Sequence, residues 1–173
     1  DFCCTFKANT TTAILGESGR GKTTLLRIIA GLDDDFTGSV ELNDQVISYV
    51  FQEDRLLEWM SVYDNIAFVL KDNVQDFDEK VNQIIQAIGL EDDKDKLPSQ
   101  LSGGMQRRVA LGRAFAYKSD ILLMDEPFRG LNKEMKLTIA NRFLNLAKDD
   151  GRTTIIVTHD YDIIDIAEKT IYL

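Results

Sequence analysis

Cysteine is scarce: the 173 residues hold two, Cys3 and Cys4, adjacent in the chain. Neighbours cannot build a disulfide framework, and nothing nearby completes a metal site with them. They are expected as buried or half-buried strand residues of a chain in a reducing compartment, a cytosol. Long apolar runs are lacking too. No stretch approaches the ~18 consecutive apolar residues of a membrane-spanning helix. The opening Asp1-Phe2-Cys3-Cys4 has neither the basic segment nor the apolar core of a secretory signal. Basic charge is the third shortage. Lys and Arg number 20 against 29 Asp and Glu, a formal net charge of −9. Such a surface repels phosphate backbones and anionic lipid, which argues against nucleic acid as a partner. An anion site must therefore be built locally, from backbone N–H groups and a few placed cations.

What remains is ordinary globular material. Hydrophobic residues make up 44% and charged residues 28%, enough for one domain with its own core and too little polarity for disorder. The acids of Asp33-Asp34-Asp35, Glu91-Asp92-Asp93 and Asp149-Asp150 fall between periodic segments and read as solvated loops.

Short β-branched runs stand at Thr10–Leu15, Ile47–Phe51, Ile121–Met124, Thr153–Thr158 and Thr170–Leu173. Helical patterns lie between them, and that alternation predicts a mainly parallel sheet covered by helices. Gly38–Leu42 alternates with period two and is expected as a small antiparallel edge element. Helices are predicted over Lys22–Ala30, from Ser61 to about Leu70, over Asp78–Ile88, and after an N-cap at Asn132 with Met135, Ile139, Phe143 and Leu146 inward. From Glu53 to about Tyr117 no strand pattern occurs. The expected division is a core of residues 1–52 and 118–173 with a helical subdomain at 53–117.

Gly16-Glu17-Ser18-Gly19-Arg20-Gly21-Lys22-Thr23 fits G-x-x-x-x-G-K-[ST], with a β-run entering it and an apolar-faced helix leaving it. The glycines let the loop wrap with its N–H groups inward, and the helix N-terminus adds partial positive charge. Lys22 would reach the β- and γ-phosphates of a nucleotide and Thr23 would hold Mg²⁺. Thr24 adds a second hydroxyl near the α-phosphate.

Ile121–Met124 is an apolar strand ending in Asp125-Glu126. Parallel α/β sheets bind ligands at that strand edge. There Asp125 can hold Mg²⁺ through its water shell, and Glu126 can activate an attacking water. His159, the only histidine, directly follows Thr153–Thr158, where it could contact a γ-phosphate or hold the water. Gln52 ends another β-run and could contact Mg²⁺ or the same water.

Leu101-Ser102-Gly103-Gly104-Met105 completes a constellation. With Gly16–Thr23, Gln52, Ile121–Pro127 and His159, in this order, the chain resembles the ATPase subunit of ATP-binding-cassette (ABC) transporters over essentially its whole length. The resemblance implies a P-loop NTPase (RecA-like) α/β core with an inserted helical subdomain, and hydrolysis of ATP with Mg²⁺. It also implies a head-to-tail dimer in which Ser102, Gly103 and Gly104 meet the γ-phosphate held by the second copy. The implied partners are an integral-membrane permease, which places the chain at the inner face of the cell membrane, and an extracytoplasmic solute-binding protein. The segment Val50–Val62, together with Met105 and Phe128, resembles nitrate, sulfonate and taurine importers, with Glu58 where that group has proline.

Some residues depart from the family pattern. Arg129-Gly130-Leu131-Asn132 replaces SALD or GALD, so Asn132 keeps hydrogen bonding without the charge. Gly112 stands where alanine is usual, at up to about 1 kcal/mol of helix propensity. The family's adenine-stacking aromatic has no equivalent here. A soluble DNA-repair or translation ATPase of the same family would need a coiled-coil insertion or a basic face. A non-catalytic regulatory module would lack Glu126 or His159. The sequence fits neither.

Overall fold

Five short runs rich in β-branched residues form the strands of one sheet in a computed structural model, which describes residues 2–70 and 76–173. They are β1 (Thr11–Leu15), β2 (Ile47–Val50), β3 (Ile121–Asp125), β4 (Thr153–Thr158) and β5 (Lys169–Tyr172). The order across the sheet is β2-β3-β4-β1-β5, and every neighbouring pair is parallel. The helices are α1 (Lys22–Ile29), α2 (Val62–Ala67), α3 (Phe77–Ile88), α4 (Gly103–Ala116) and α5 (Lys133–Asp149). Short 3₁₀ turns occupy Glu91–Asp93, Pro98–Gln100 and Tyr161–Ile166.

Strand alternation sorts the core onto two faces. Ile121 and Leu123 of β3, with Ile155 and Val157 of β4, pack beneath Leu26 and Ile29 of α1. Leu122, Met124 and Ile156 point the other way, into a cluster shared with α2 to α5. Both faces are therefore covered, which is why these strands read as continuous apolar runs.

Helix ends follow their local chemistry. Ser61 Oγ accepts the Asp64 N–H at 3.0 Å to start α2. Asn132 Oδ1 accepts the Met135 N–H at 2.9 Å to start α5. Gly89 closes α3 in the left-handed conformation, φ 63°. Arg108 on α4 donates to the carbonyls of Ile88 and Gly89, satisfying acceptors that the end of α3 leaves open.

Four expectations need correction. Gly38–Leu42 forms no strand, and Val40 and Leu42 stay substantially exposed. Period-two alternation supplies a face but no partner, and the sheet is parallel throughout. Cys3 and Cys4 lie outside any strand, Cys3 exposed and Cys4 half-buried. Met135 and Leu146 of α5 are exposed while Ile139 and Phe143 are buried, so the inward stripe is narrower than the apolar pattern. Helix α2 stops at Ala67 rather than near Leu70, and Phe68 beyond it faces solvent.

Candidate active site

The strand register sets the site. Leu15 pairs with Thr158, Val157 with Asp125, and Met124 with Val50. The residues that follow these strands, Gly16, His159, Glu126 and Gln52, therefore emerge along one edge of the sheet. Sequence reasoning placed each of them at a strand end, and the register makes those ends level.

The loop after β1 turns through left-handed glycines, Gly19 at φ 84° and Gly21 at φ 87°. A side chain at Gly16 is barred differently, because a Cβ there would come within 2.7 Å of the Leu173 carbonyl oxygen. Glu17, Ser18, Arg20, Thr23 and Thr24 are exposed, and the first N–H groups of α1 open into the loop. Lys22 is buried and folds back, its ammonium donating to the carbonyls of Gly16 at 2.7 Å and Glu17 at 2.9 Å. Its charge is thus held at the centre of the loop.

Asp125 is 2% exposed, and among the described residues its Oδ1 has no hydrogen-bond partner. Burial pushes its carboxyl above the usual range, and the charge of Glu126 adds to this. The Thr23 hydroxyl, Arg107 and Lys22 pull it back. A buried, unpartnered carboxylate oxygen with a threonine hydroxyl beside it fits a small divalent cation. Mg²⁺ asks for one or two carboxylates plus phosphate oxygens rather than a protein cage. The residues that would hold it are Thr23 and Asp125, with Gln52 at the edge.

Glu126 adopts φ 47°, a left-handed conformation that costs a β-carbon residue about 1 kcal/mol or more. The turn aims its carboxylate at β4. Oε2 accepts from the Thr158 hydroxyl at 3.1 Å, and Oε1 lies 2.7 Å from His159 Nδ1. His159 itself is largely exposed. Glu126 and His159, read separately from sequence, form one pair.

Ser102 caps α4, its hydroxyl accepting the Met105 N–H at 3.3 Å. Ser102 and Gly103 face solvent, and Gly104 packs near Leu131. Among the described residues, no hydrogen bond or ion pair joins Ser102–Gly104 to Gly16–Thr23. The loop after β1 and the turn that opens α4 are thus not joined within one chain.

Sequence reasoning missed Arg107, Asn65 and Lys136. The Arg107 guanidinium is buried behind the Asp125–Pro127 turn. Asn65, wholly buried, accepts from the Leu57 N–H and donates to the carbonyls of Leu57 and Met60, fixing the turn that exposes Trp59. Lys136 pairs with Asp160 and Asp162, tying α5 to the segment after His159. A basic residue on an apolar helix face was the only signal available for Arg107.

The sequence pattern of the ABC transporter family matches residues 1–129. This chain belongs to the ABC transporter family. Over 151 residues it is 44% identical to the aliphatic sulfonates import ATP-binding protein SsuB 2 of Pseudomonas syringae pv. tomato, covering 87% of this chain and 64% of that protein. It is 39% identical to the taurine import ATP-binding protein TauB of Jannaschia sp., covering 87% of this chain and 60% of that one. The chain thus spans less than two thirds of the length of these relatives. Among solved structures, a dimeric post-hydrolysis state of the ATP-binding cassette MJ0796 bound to ADP and Pi superposes with a TM-score of 0.83 at 29% identity. That match covers 98% of this ABC chain and 83% of the cassette.

Proposed function

We propose that this chain binds and hydrolyses ATP and powers solute import through a separate membrane permease. The observation that carries the reading is the Glu126 carboxylate, held by Thr158 and His159 next to the buried, unpartnered oxygen of Asp125. Phosphoryl transfer to water needs chiefly positioning and charge neutralisation. The loop N–H groups and Lys22 cradle the β- and γ-phosphates. Thr23, Asp125 and Gln52 would hold Mg²⁺, whose charge would offset that of the phosphates. Glu126 takes the proton of the attacking water, and His159 orients the carboxylate and reaches toward the γ-phosphate.

Two copies act head to tail. The exposed Ser102-Gly103-Gly104 turn, opening α4 with free N–H groups and a helix N-terminus, suits the γ-phosphate of a second copy better than that of its own chain. The superposing MJ0796 cassette is a dimer, which supports this arrangement.

Residues 1–52 and 118–173 form the nucleotide-binding core, and 53–117 the helical part that meets the permease. Trp59, 74% exposed, with Phe68 and the half-buried Leu56 and Leu57, supplies apolar surface for that contact. Among the described residues no helix is long and apolar enough to cross a membrane. In this reading the membrane passage is the permease's. The chain sits on the inner face of the membrane through it. Relatives named for sulfonates and taurine favour a small anionic nutrient as the solute, delivered by an extracytoplasmic binding protein. The test is phosphate release and transport from vesicles carrying the permease, with and without this subunit. Transport of taurine or an alkanesulfonate that requires both ATP and this chain supports the reading. ATP-independent transport overturns it.

A further inference from the structure

The Arg107 side chain is spent on four backbone carbonyls and one carboxylate. It projects from α4, the helix that Ser102 opens, and the residue is 3% exposed. Nε donates to the Pro127 carbonyl at 2.8 Å, and Nη2 donates to those of Asp125 at 2.9 Å and Glu126 at 2.8 Å. Nη1 donates to the Phe51 carbonyl at 2.7 Å and to Asp54 Oδ1 at 3.0 Å. Each N–H of the planar fork thus has an acceptor. Three of those acceptors are the consecutive carbonyls of the turn that aims Asp125 and Glu126. The other two flank Gln52.

Burying a guanidinium carries a desolvation penalty that well-packed apolar side chains avoid, so a buried ion pair is weak evidence for stability alone. What the fork supplies is geometry. Its rigid plane fixes three segments relative to one another, which a flexible ammonium does not do. One of the fixed residues, Glu126, sits at φ 47° and needs its surroundings to hold it there.

We propose that Arg107 is a positioning residue for hydrolysis: it locks the Asp125–Pro127 turn and the Phe51–Asp54 segment to α4, so that movement of the Ser102 helix is transmitted to both carboxylates and to Gln52. This rests on the ATPase reading above. Arg113, one further site on the same helix, donates to the carbonyls of Asp54 and Arg55 and reinforces the second attachment.

The test compares the wild-type chain with Arg107→Lys and Asp54→Ala by two readouts. The first is hydrogen exchange of the ligand-free protein. In Arg107→Lys, amides of 126, 128–130 and 51–55 should exchange faster together. In Asp54→Ala, which removes a partly exposed acceptor and leaves the four backbone acceptors of Arg107 in place, 51–55 should loosen. The second readout is kinetics. Arg107→Lys should lower kcat by roughly 10-fold or more while ATP affinity changes less than about 3-fold, because misplacing a reacting group costs rate rather than binding. Asp54→Ala should lower kcat by a smaller factor, again without a matching loss of affinity.

Unchanged exchange in both segments overturns the clamp, as does kcat unchanged in both variants. If Arg107→Lys fails to fold, the Asp54→Ala result alone decides by the same criteria. If the wild-type chain hydrolyses no ATP, the function reading fails and the exchange arm still decides whether the clamp exists.

Discussion

Glu126 and His159 are joined across the sheet edge: Oε1 of the carboxylate and Nδ1 of the imidazole lie 2.7 Å apart, thirty-three residues apart in sequence. The Thr158 hydroxyl holds the other carboxylate oxygen. A carboxylate fastened at both oxygens would, as the proposed base, present one fixed direction to a water molecule. His159→Ala should therefore cut hydrolysis by roughly 10²-fold, the lower range for a general-base contribution, and leave ATP affinity nearly unchanged. Steady-state phosphate release beside calorimetric titration measures both.

Lys22 holds the loop through the carbonyls of Gly16 and Glu17. Lys22→Ala removes the cation buried at the loop centre. Tight ATP binding should be abolished in calorimetry, while thermal unfolding remains cooperative. Unchanged affinity contradicts the loop assignment.

Gly112 is where α2, α3 and α4 meet. A Cβ there would lie 3.2 Å from Ile84, 3.3 Å from Ile66 and 3.3 Å from Ile88. For Gly112→Ala, the gain in helix propensity of about 1 kcal/mol opposes the crowding, so urea unfolding should shift by less than that. Gly112→Val adds bulk and a β-branch, and should destabilise by about 1–3 kcal/mol.

Asn132 is legible in the sequence and behaves as read, capping α5 through Met135. Asn132→Ala should cost about 1 kcal/mol in chemical denaturation, whereas Asn132→Asp should be neutral or slightly stabilising at the helix N-terminus.

These cases divide along a physical line. The turn of the Gly16–Thr23 loop, the caps at Ser61 and Asn132, and the five strands were readable because their signals lie within a few residues of one another. Arg107 was not, because its acceptors at Phe51 and Asp125–Pro127 come from other elements of the fold. Asn65 hid for a related reason: a polar residue among helix formers shows nothing until the turn at Leu57–Met60 folds over it. Gly38–Leu42 misled in the opposite way. Its alternation was local, but strand formation needed a partner that the parallel sheet does not provide.

Glu168 makes one contribution to the pH dependence of stability. The Lys148 ammonium, helped by the Thr11 N–H, holds its carboxyl below the usual glutamate range. A depressed folded value means that its stabilisation is present above the unfolded value and is lost as pH falls through the folded one. Stability should therefore fall on acidification below the ordinary glutamate range. Glu168→Gln should show a flatter fall across that window in urea titrations.

The most direct test of the central claim is Glu126→Gln, measured for ATP binding and for hydrolysis on the same preparation. Lys22, Thr23 and Asp125 remain to hold phosphates and Mg²⁺, so ATP should bind as in the wild type. Hydrolysis should fall by roughly 10²-fold or more. With intact γ-phosphates bridging the loop of one copy to Ser102 of the other, light scattering should show a dimer with ATP and a monomer with ADP. A Glu126→Gln chain that hydrolyses ATP at the wild-type rate, or that binds ATP tightly yet stays monomeric at high concentration, contradicts the account.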